Sequence, residues 1–326
     1  MTRSDTRSAV RRTSGRRATE TKKYIFFAAC AVVIIGIAVA LAVIRPWTTG
    51  SAHSRSVRYL GVFEPDAPAS YAGVDQFAQA IGRQPNLVAY YSRWSVPFQV
   101  RFATSAAKHG AITVVQIDPV DISLASIAAG RYDAYLRSYA SAVKAFGNHV
   151  ILSFGHEMNG SWYSWGYQHT SPKSFVAAWR HIVTVFRAAD ARNVTWLWTV
   201  NVVNANPYIP SPGPWWPGRS YVNWIGIDGY YYLPSQSFAQ VYGPTIGAVR
   251  ELTGDPILIA ETGAAPSTGQ PSKINDLFAG IRTYGLSGFV WFDENTQGRI
   301  WRVSTPGAFG AFRQDARAYM KPSGTP

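Results

Sequence analysis

The sequence has 326 residues and a net charge of +13, with 12 Trp, 18 Tyr, 16 Phe and a single cysteine, Cys30. One cysteine excludes an intramolecular disulfide and a cysteine metal cluster. Much of the charge lies in residues 1–23, where eight basic residues outweigh Asp5 and Glu20 to give +6; the rest is scattered with no basic helix, which argues against a nucleic-acid partner.

Residues 24–44 form a 21-residue stretch free of formal charge. About 20 apolar residues span a bilayer as a helix, so this stretch reads as a transmembrane anchor. The basic tail, 1–23, then stays in the cytoplasm and the remainder is extracytoplasmic. A signal peptide cut near residues 50–53 is the alternative, and it exports the same domain. Residues 45–57 are small and polar, as in a short linker.

From residue 58 the pattern changes. Short β-branched or aromatic runs at 58–63, 87–91, 112–117, 150–154, 194–198, 224–227, 257–260 and 288–292 read as strands. Helical patterns separate them, for example at 71–81, 132–146, 172–189, 238–252 and 272–284. Strands alternating with helices imply parallel βαβ units, and eight of them imply a closed (β/α)8 TIM barrel over 58–320. A doubly wound open sheet is the alternative, but no Gly-x-Gly-x-x-Gly follows the first strand.

The strands end in polar residues: Glu64 and Asp66 after the first, Asp118 after the third, His156-Glu157 after the fourth and Asn201 after the fifth. The later ones run into Asp228-Gly229-Tyr230, Glu261-Thr262 and Asp293-Glu294. The chain holds only 18 carboxylates, and their gathering at the active-site end of a barrel points to carboxylate chemistry. For Asp118 or Glu64 alone, a cap or salt bridge serves equally well. His156-Glu157 opens like a zinc-protease helix, but position 160 is Gly160, so the second ligand is missing. Ser153-Phe154-Gly155 is only half of a nucleophile elbow. What remains is a pair of carboxylates, Glu157 and Glu261. A retaining glycosidase needs such a pair, one as proton donor and one as nucleophile.

The segment 155–166, Gly-His-Glu-Met-Asn-Gly-Ser-Trp-Tyr-Ser-Trp-Gly, resembles the signature of glycoside hydrolase family 26, best known for β-mannanases. The segment 257–263, Ile-Leu-Ile-Ala-Glu-Thr-Gly, looks like the same family's nucleophile strand. The resemblance implies Glu157 as acid/base, Glu261 as nucleophile and Tyr230 as the tyrosine that hydrogen-bonds it. It places His156 and Trp162 near the cleaved sugar and suits Trp291 as a stacking platform. Trp94, Trp165 and Asp118, also at predicted strand ends, join the candidate substrate contacts. One departure is Ser164, where the family commonly carries tryptophan, and it bears on substrate preference. The implied activity is a retaining, cofactor-free endo-β-glycanase at the outer membrane face. Its expected substrate is β-1,4-mannan or a mannose-containing envelope polysaccharide or exopolysaccharide. The alternatives are a β-1,3-1,4-glucanase, a β-1,3-xylanase, or a non-catalytic sugar-binding envelope protein.

Overall fold

In the computed structural model, residues 58–203, 209–296 and 298–319 are described. Eight strands form where the β-branched runs predict them: β1 (Tyr59–Phe63), β2 (Leu87–Arg93), β3 (Ile112–Asp118) and β4 (Val150–Phe154), then β5 (Val194–Asn201), β6 (Trp224–Tyr231), β7 (Ile257–Ala264) and β8 (Gly288–Phe292). Each pairs in parallel with the next, and β8 returns to β1, so the sheet closes as a barrel. The open-sheet alternative is thereby excluded. Five strands run past their predicted C-terminal ends. The ladder there passes through Asn201, Asp228-Gly229, Glu261 and Gly263, residues of low β-propensity that pairing with neighbours holds extended.

Eight α-helices accompany the strands among the described residues: α1 (Ala72–Ile81), α2 (Val100–Lys108), α3 (Leu124–Ala128), α4 (Asp133–Phe146), α5 (Pro172–Ala188), α6 (Phe238–Arg250), α7 (Gln270–Thr283) and α8 (Pro306–Tyr319). Local chemistry sets their starts. Ser171 caps α5 ahead of Pro172, whose missing N–H costs nothing at a first helical position. Ser237 and Gln240 close a reciprocal capping box on α6.

Period-2 alternation divides the core in two. Leu87, Ala89, Val114, Ile151, Leu197, Leu258 and Val290 fill the barrel interior. Their neighbours along the strands, including Val88, Val115, Leu152, Trp198 and Ile259, pack outward against the helices. One clamp joins the ends of the sheet: Arg302 donates to Glu64 after β1 at 3.0 Å and lies 3.5 Å from Asp293 after β8. Glu64 is therefore a structural ion-pair partner, and the clamp fixes the segment carrying Trp301. A short hairpin, β9 (Asn295–Thr296) with β10 (Arg299–Ile300), precedes that segment.

The expected tail, anchor and linker at 1–23, 24–44 and 45–57 lie outside the described residues. Among the described residues no helix is long and apolar enough to cross a membrane.

Candidate active site

A cleft of about 710 Å³ opens at the C-terminal end of the barrel, and both Glu157 and Glu261 line it. Glu157 follows β4 through a sharp change of direction. Gly155 takes φ +55°, and a side chain there would meet Phe175 at 3.1 Å and Trp165 at 3.2 Å. Glu157 itself adopts φ 54°, a left-handed conformation uncommon outside glycine. Its backbone is pinned, because its N–H donates to the Thr199 carbonyl at 3.0 Å. Asn159 and Asn201 then lock the loop to β5, exchanging hydrogen bonds of 2.8 and 2.9 Å. Gly160 has no Cβ because the Trp162 indole lies over it, 2.3 Å from where one would stand.

The Glu157 carboxyl takes two donors: Asn201 Nδ2 to Oε1 at 2.5 Å and Trp162 Nε1 to Oε2 at 2.7 Å. Burial and the charge of Glu261 nevertheless push its pKa up to about 7, against the lowering pull of His156 and these two donors. It is a carboxyl group able to carry a proton at neutral pH.

Glu261 reaches the cleft by a bulge. Ile227 pairs with Ile259 but Asp228 with Glu261, so β7 carries one extra residue, Ala260. Strict alternation from inward Leu258 and Ala260 would turn Glu261 outward. The bulge makes two successive residues face inward and aims the carboxylate at the mouth, a common use of bulges beside active sites. Tyr230 donates to its Oε1 and Tyr91, from β2, to its Oε2. Burial and then Glu261 itself raise both phenols well above their ordinary range, so they remain O–H donors. Two such donors stabilise the charge of an ionised carboxylate.

His156 sits between these groups. Its Nδ1 lies 2.9 Å from Asp118 Oδ1 and its Nε2 3.2 Å from the Tyr163 hydroxyl. Burial lowers its pKa, but Asp118, Glu157 and Glu261 outweigh burial and carry it up to about 9. Asp228 is fully buried with both carboxyl oxygens unpartnered, and burial followed by the charges of Glu261, Glu157 and Asp118 raises it well above the carboxylate range. His156, Asp228 and Glu261 bring one ligand-type atom each within 4.8 Å of one another. A metal would need neutral imidazole and a free carboxylate oxygen. Here the imidazole favours its protonated form and both Glu261 oxygens hold phenols, so the cluster suits proton chemistry.

Of the candidate substrate contacts, His156, Trp162, Tyr230 and Asp118 line the cleft. Three tryptophans are corrected. Trp291 is fully buried on the outer side of β8, 5.2 Å from Phe312 of α8 between ring centroids, because alternation along β8 turns Val290 and Phe292 inward instead. Trp94 packs among Tyr132, Tyr135 and Phe154. Trp165 stacks beneath Tyr163 at 4.3 Å and donates to the His156 carbonyl at 2.9 Å, so it supports the site from behind. Tyr91, at the predicted end of β2, also lines the cleft, and Trp301 is a cleft aromatic that strand ends did not single out. Trp301 lies ten residues beyond Trp291, against Tyr230 at 4.4 Å. Counting alternation through β8 would have excluded Trp291; nothing local marks Trp301.

Residues 79–263, more than half of the chain, match the family described as Glycosyl hydrolase family 26. Endoglucanase H of Acetivibrio thermocellus is 33% identical over 265 residues, which is 75% of this chain but 29% of that protein. Mannan endo-1,4-beta-mannosidase A and B of Caldalkalibacillus mannanilyticus is 28% identical over 86 residues, 24% of this chain and 16% of that one. The chain thus spans under a third of the length of either curated relative. A GH26 β-mannanase from Bacteroides ovatus has the same fold, with TM-score 0.61, 16% identity, and 82% of this chain and 90% of that chain covered. The catalytic domain of a Bacillus sp. JAMB-750 GH26 endo-β-1,4-mannanase gives TM-score 0.63 at 14% identity, over 82% and 87% of the two chains. The chain belongs to glycosyl hydrolase family 26.

Proposed function

We propose that the protein is a retaining endo-β-glycanase, with Glu261 as nucleophile and Glu157 as acid/base. The observation carrying this is the split between two carboxyls in one cleft: Glu157 holds its proton to about pH 7, while Glu261 receives a phenol on each oxygen. Pairs whose environments differ in this way divide acid and base roles between them. Glu261 attacks the anomeric carbon as Glu157 protonates the departing oxygen. Glu157 then takes a proton from water, which displaces Glu261 from the sugar. Trp301, Tyr230 and Trp162 supply flat apolar faces for sugar rings, and His156 and Asp118 supply polar contacts.

The substrate is a β-linked polysaccharide. β-1,4-Mannan, or a mannose-containing envelope polysaccharide or exopolysaccharide, agrees with the mannanases that share the fold. A β-glucan is the second reading, favoured by the 33% identity to an endoglucanase. Reducing-end release from glucomannan, galactomannan, mixed-linkage β-glucan and β-1,3-xylan separates the readings. Release from mannans alone supports the first, release from the mixed-linkage glucan alone the second, and no release from any of the four contradicts both. An extracytoplasmic location rests on the sequence of residues 1–44, a basic tail before a charge-free apolar stretch.

A further inference from the structure

We propose that Tyr91 is a positioning residue for the nucleophile, a second phenolic donor that governs how Glu261 accepts and releases the sugar. The inference rests on the reading of Glu261 as nucleophile. Family resemblance accounts for one tyrosine, Tyr230 on β6. Tyr91 comes from β2, across the barrel, and donates to the opposite oxygen, Oε2. Its ring is held by Phe63 at 5.0 Å and lies 5.4 Å from the His156 ring, so its hydroxyl has a fixed direction.

The groups facing Glu261 come from several elements. Tyr91 is on β2, His156 and Glu157 follow β4, and Tyr163 lies in the next loop; Asp228 and Tyr230 are on β6, Tyr232 is beyond it, and Glu294 follows β8. Three of these are carboxyl groups whose ionised forms oppose the charge of Glu261, namely Glu157, Asp228 and Glu294. The protonated imidazole of His156 and the two hydrogen-bonded phenols counter them, and only the phenols donate directly to the Glu261 oxygens. Ionised Glu261 therefore depends on Tyr91 as well as Tyr230.

The consequence differs between the two half-reactions. In the first, the bond from C1 to a Glu261 oxygen forms, the bond from C1 to the leaving oxygen breaks, and the proton of Glu157 passes to that oxygen. In the second, a water oxygen bonds to C1, its proton passes to Glu157, and the electron pair of the ester bond returns to Glu261. A donor to the carboxylate stabilises the free nucleophile and the same group as it leaves. Removing it makes Glu261 harder to ionise and a poorer leaving group.

The test is Tyr91→Phe, assayed on dinitrophenyl β-cellobioside and β-mannobioside, whose leaving group needs little protonation. The acid limb of kcat/KM should move to higher pH by about one unit, the shift that matches a tenfold change in equilibrium. On the plateau kcat and KM should fall together by about tenfold, because the glycosyl-enzyme accumulates. A uniform fall in kcat/KM at every pH, with the acid limb in place, would overturn the proposal. If Tyr91→Phe does not fold, 3-fluorotyrosine at position 91 keeps the shape and strengthens the donor; the limb should then move down, and an unmoved limb refutes the role. Wild-type protein treated with a 2-deoxy-2-fluoro disaccharyl fluoride and digested for mass spectrometry tests the underlying reading separately. A label on Glu261 upholds it whatever Tyr91→Phe does, and a label elsewhere sinks both.

Discussion

Replacing Glu157 with glutamine should stop turnover and, at alkaline pH, make the barrel more stable. In the unfolded chain this carboxyl ionises near 4.5, and in the folded cleft near 7, because burial and Glu261 oppose its charge. A raised carboxyl contributes nothing below pH 4.5, where both states hold the proton. As pH rises from 4.5 to 7 the unfolded state releases it first, so folding loses stability throughout that window and the full cost persists above it. Two and a half units at 1.36 kcal/mol per unit gives about 3 kcal/mol. Glutamine cannot ionise and escapes this cost. Its amide nitrogen would face a donor, Asn201 Nδ2 or Trp162 Nε1, which subtracts a pH-independent amount. The diagnostic quantity is therefore the difference between variant and wild type as pH changes. Urea unfolding followed by tryptophan fluorescence at pH 4.5 and pH 8 measures it. The gap should widen in favour of Glu157→Gln by up to about 3 kcal/mol. A gap equal at both pH values would refute the claim that the cleft suppresses this group's charge.

The remaining variants separate binding from packing. Trp301→Ala should weaken substrate binding by up to about tenfold, since a stacked face is worth ~0.5–1.5 kcal/mol beyond burial, as read from KM or isothermal titration. Trp291→Ala should instead destabilise folding by about 3–5 kcal/mol in denaturant titration, with KM of the surviving folded fraction unchanged. Asn201→Ala removes a donor to the ionised form of Glu157, so the alkaline limb of the rate profile should move up by about one unit. An unmoved limb would show that the 2.5 Å contact does not favour the carboxylate.

The barrel was legible because eight β-branched runs recur between amphipathic helices, and parallel pairing leaves few other arrangements. Both site carboxylates were legible for the same reason, since each follows such a run. What the sequence did not reveal depends on register and side-chain direction. Glu261 faces inward only because Ala260 is a bulge, a feature visible in the pairing of β6 with β7 and in no single residue. Trp291 looked like a platform because it ends a strand, yet alternation and α8 bury it on the far side. Trp301 reaches the cleft through a hairpin and the Arg302 clamp onto Glu64, contacts 238 residues apart in sequence. Tyr91 and Asn201 stood at strand ends in the sequence, but their roles required knowing which carboxylate oxygen each would meet.

Azide rescue tests the central assignment most directly. Glu261→Ala and Glu157→Ala are each given azide and an activated aryl glycoside that the parent cleaves, and the anomeric configuration of the glycosyl azide is read by NMR. With Glu261 as nucleophile, Glu261→Ala should leave space for azide to attack directly and give the α-azide. Glu157→Ala should still form the glycosyl-enzyme and release the β-azide. The opposite pair of anomers would reverse the two roles, and near-parental turnover by either variant without azide would contradict the assignment altogether.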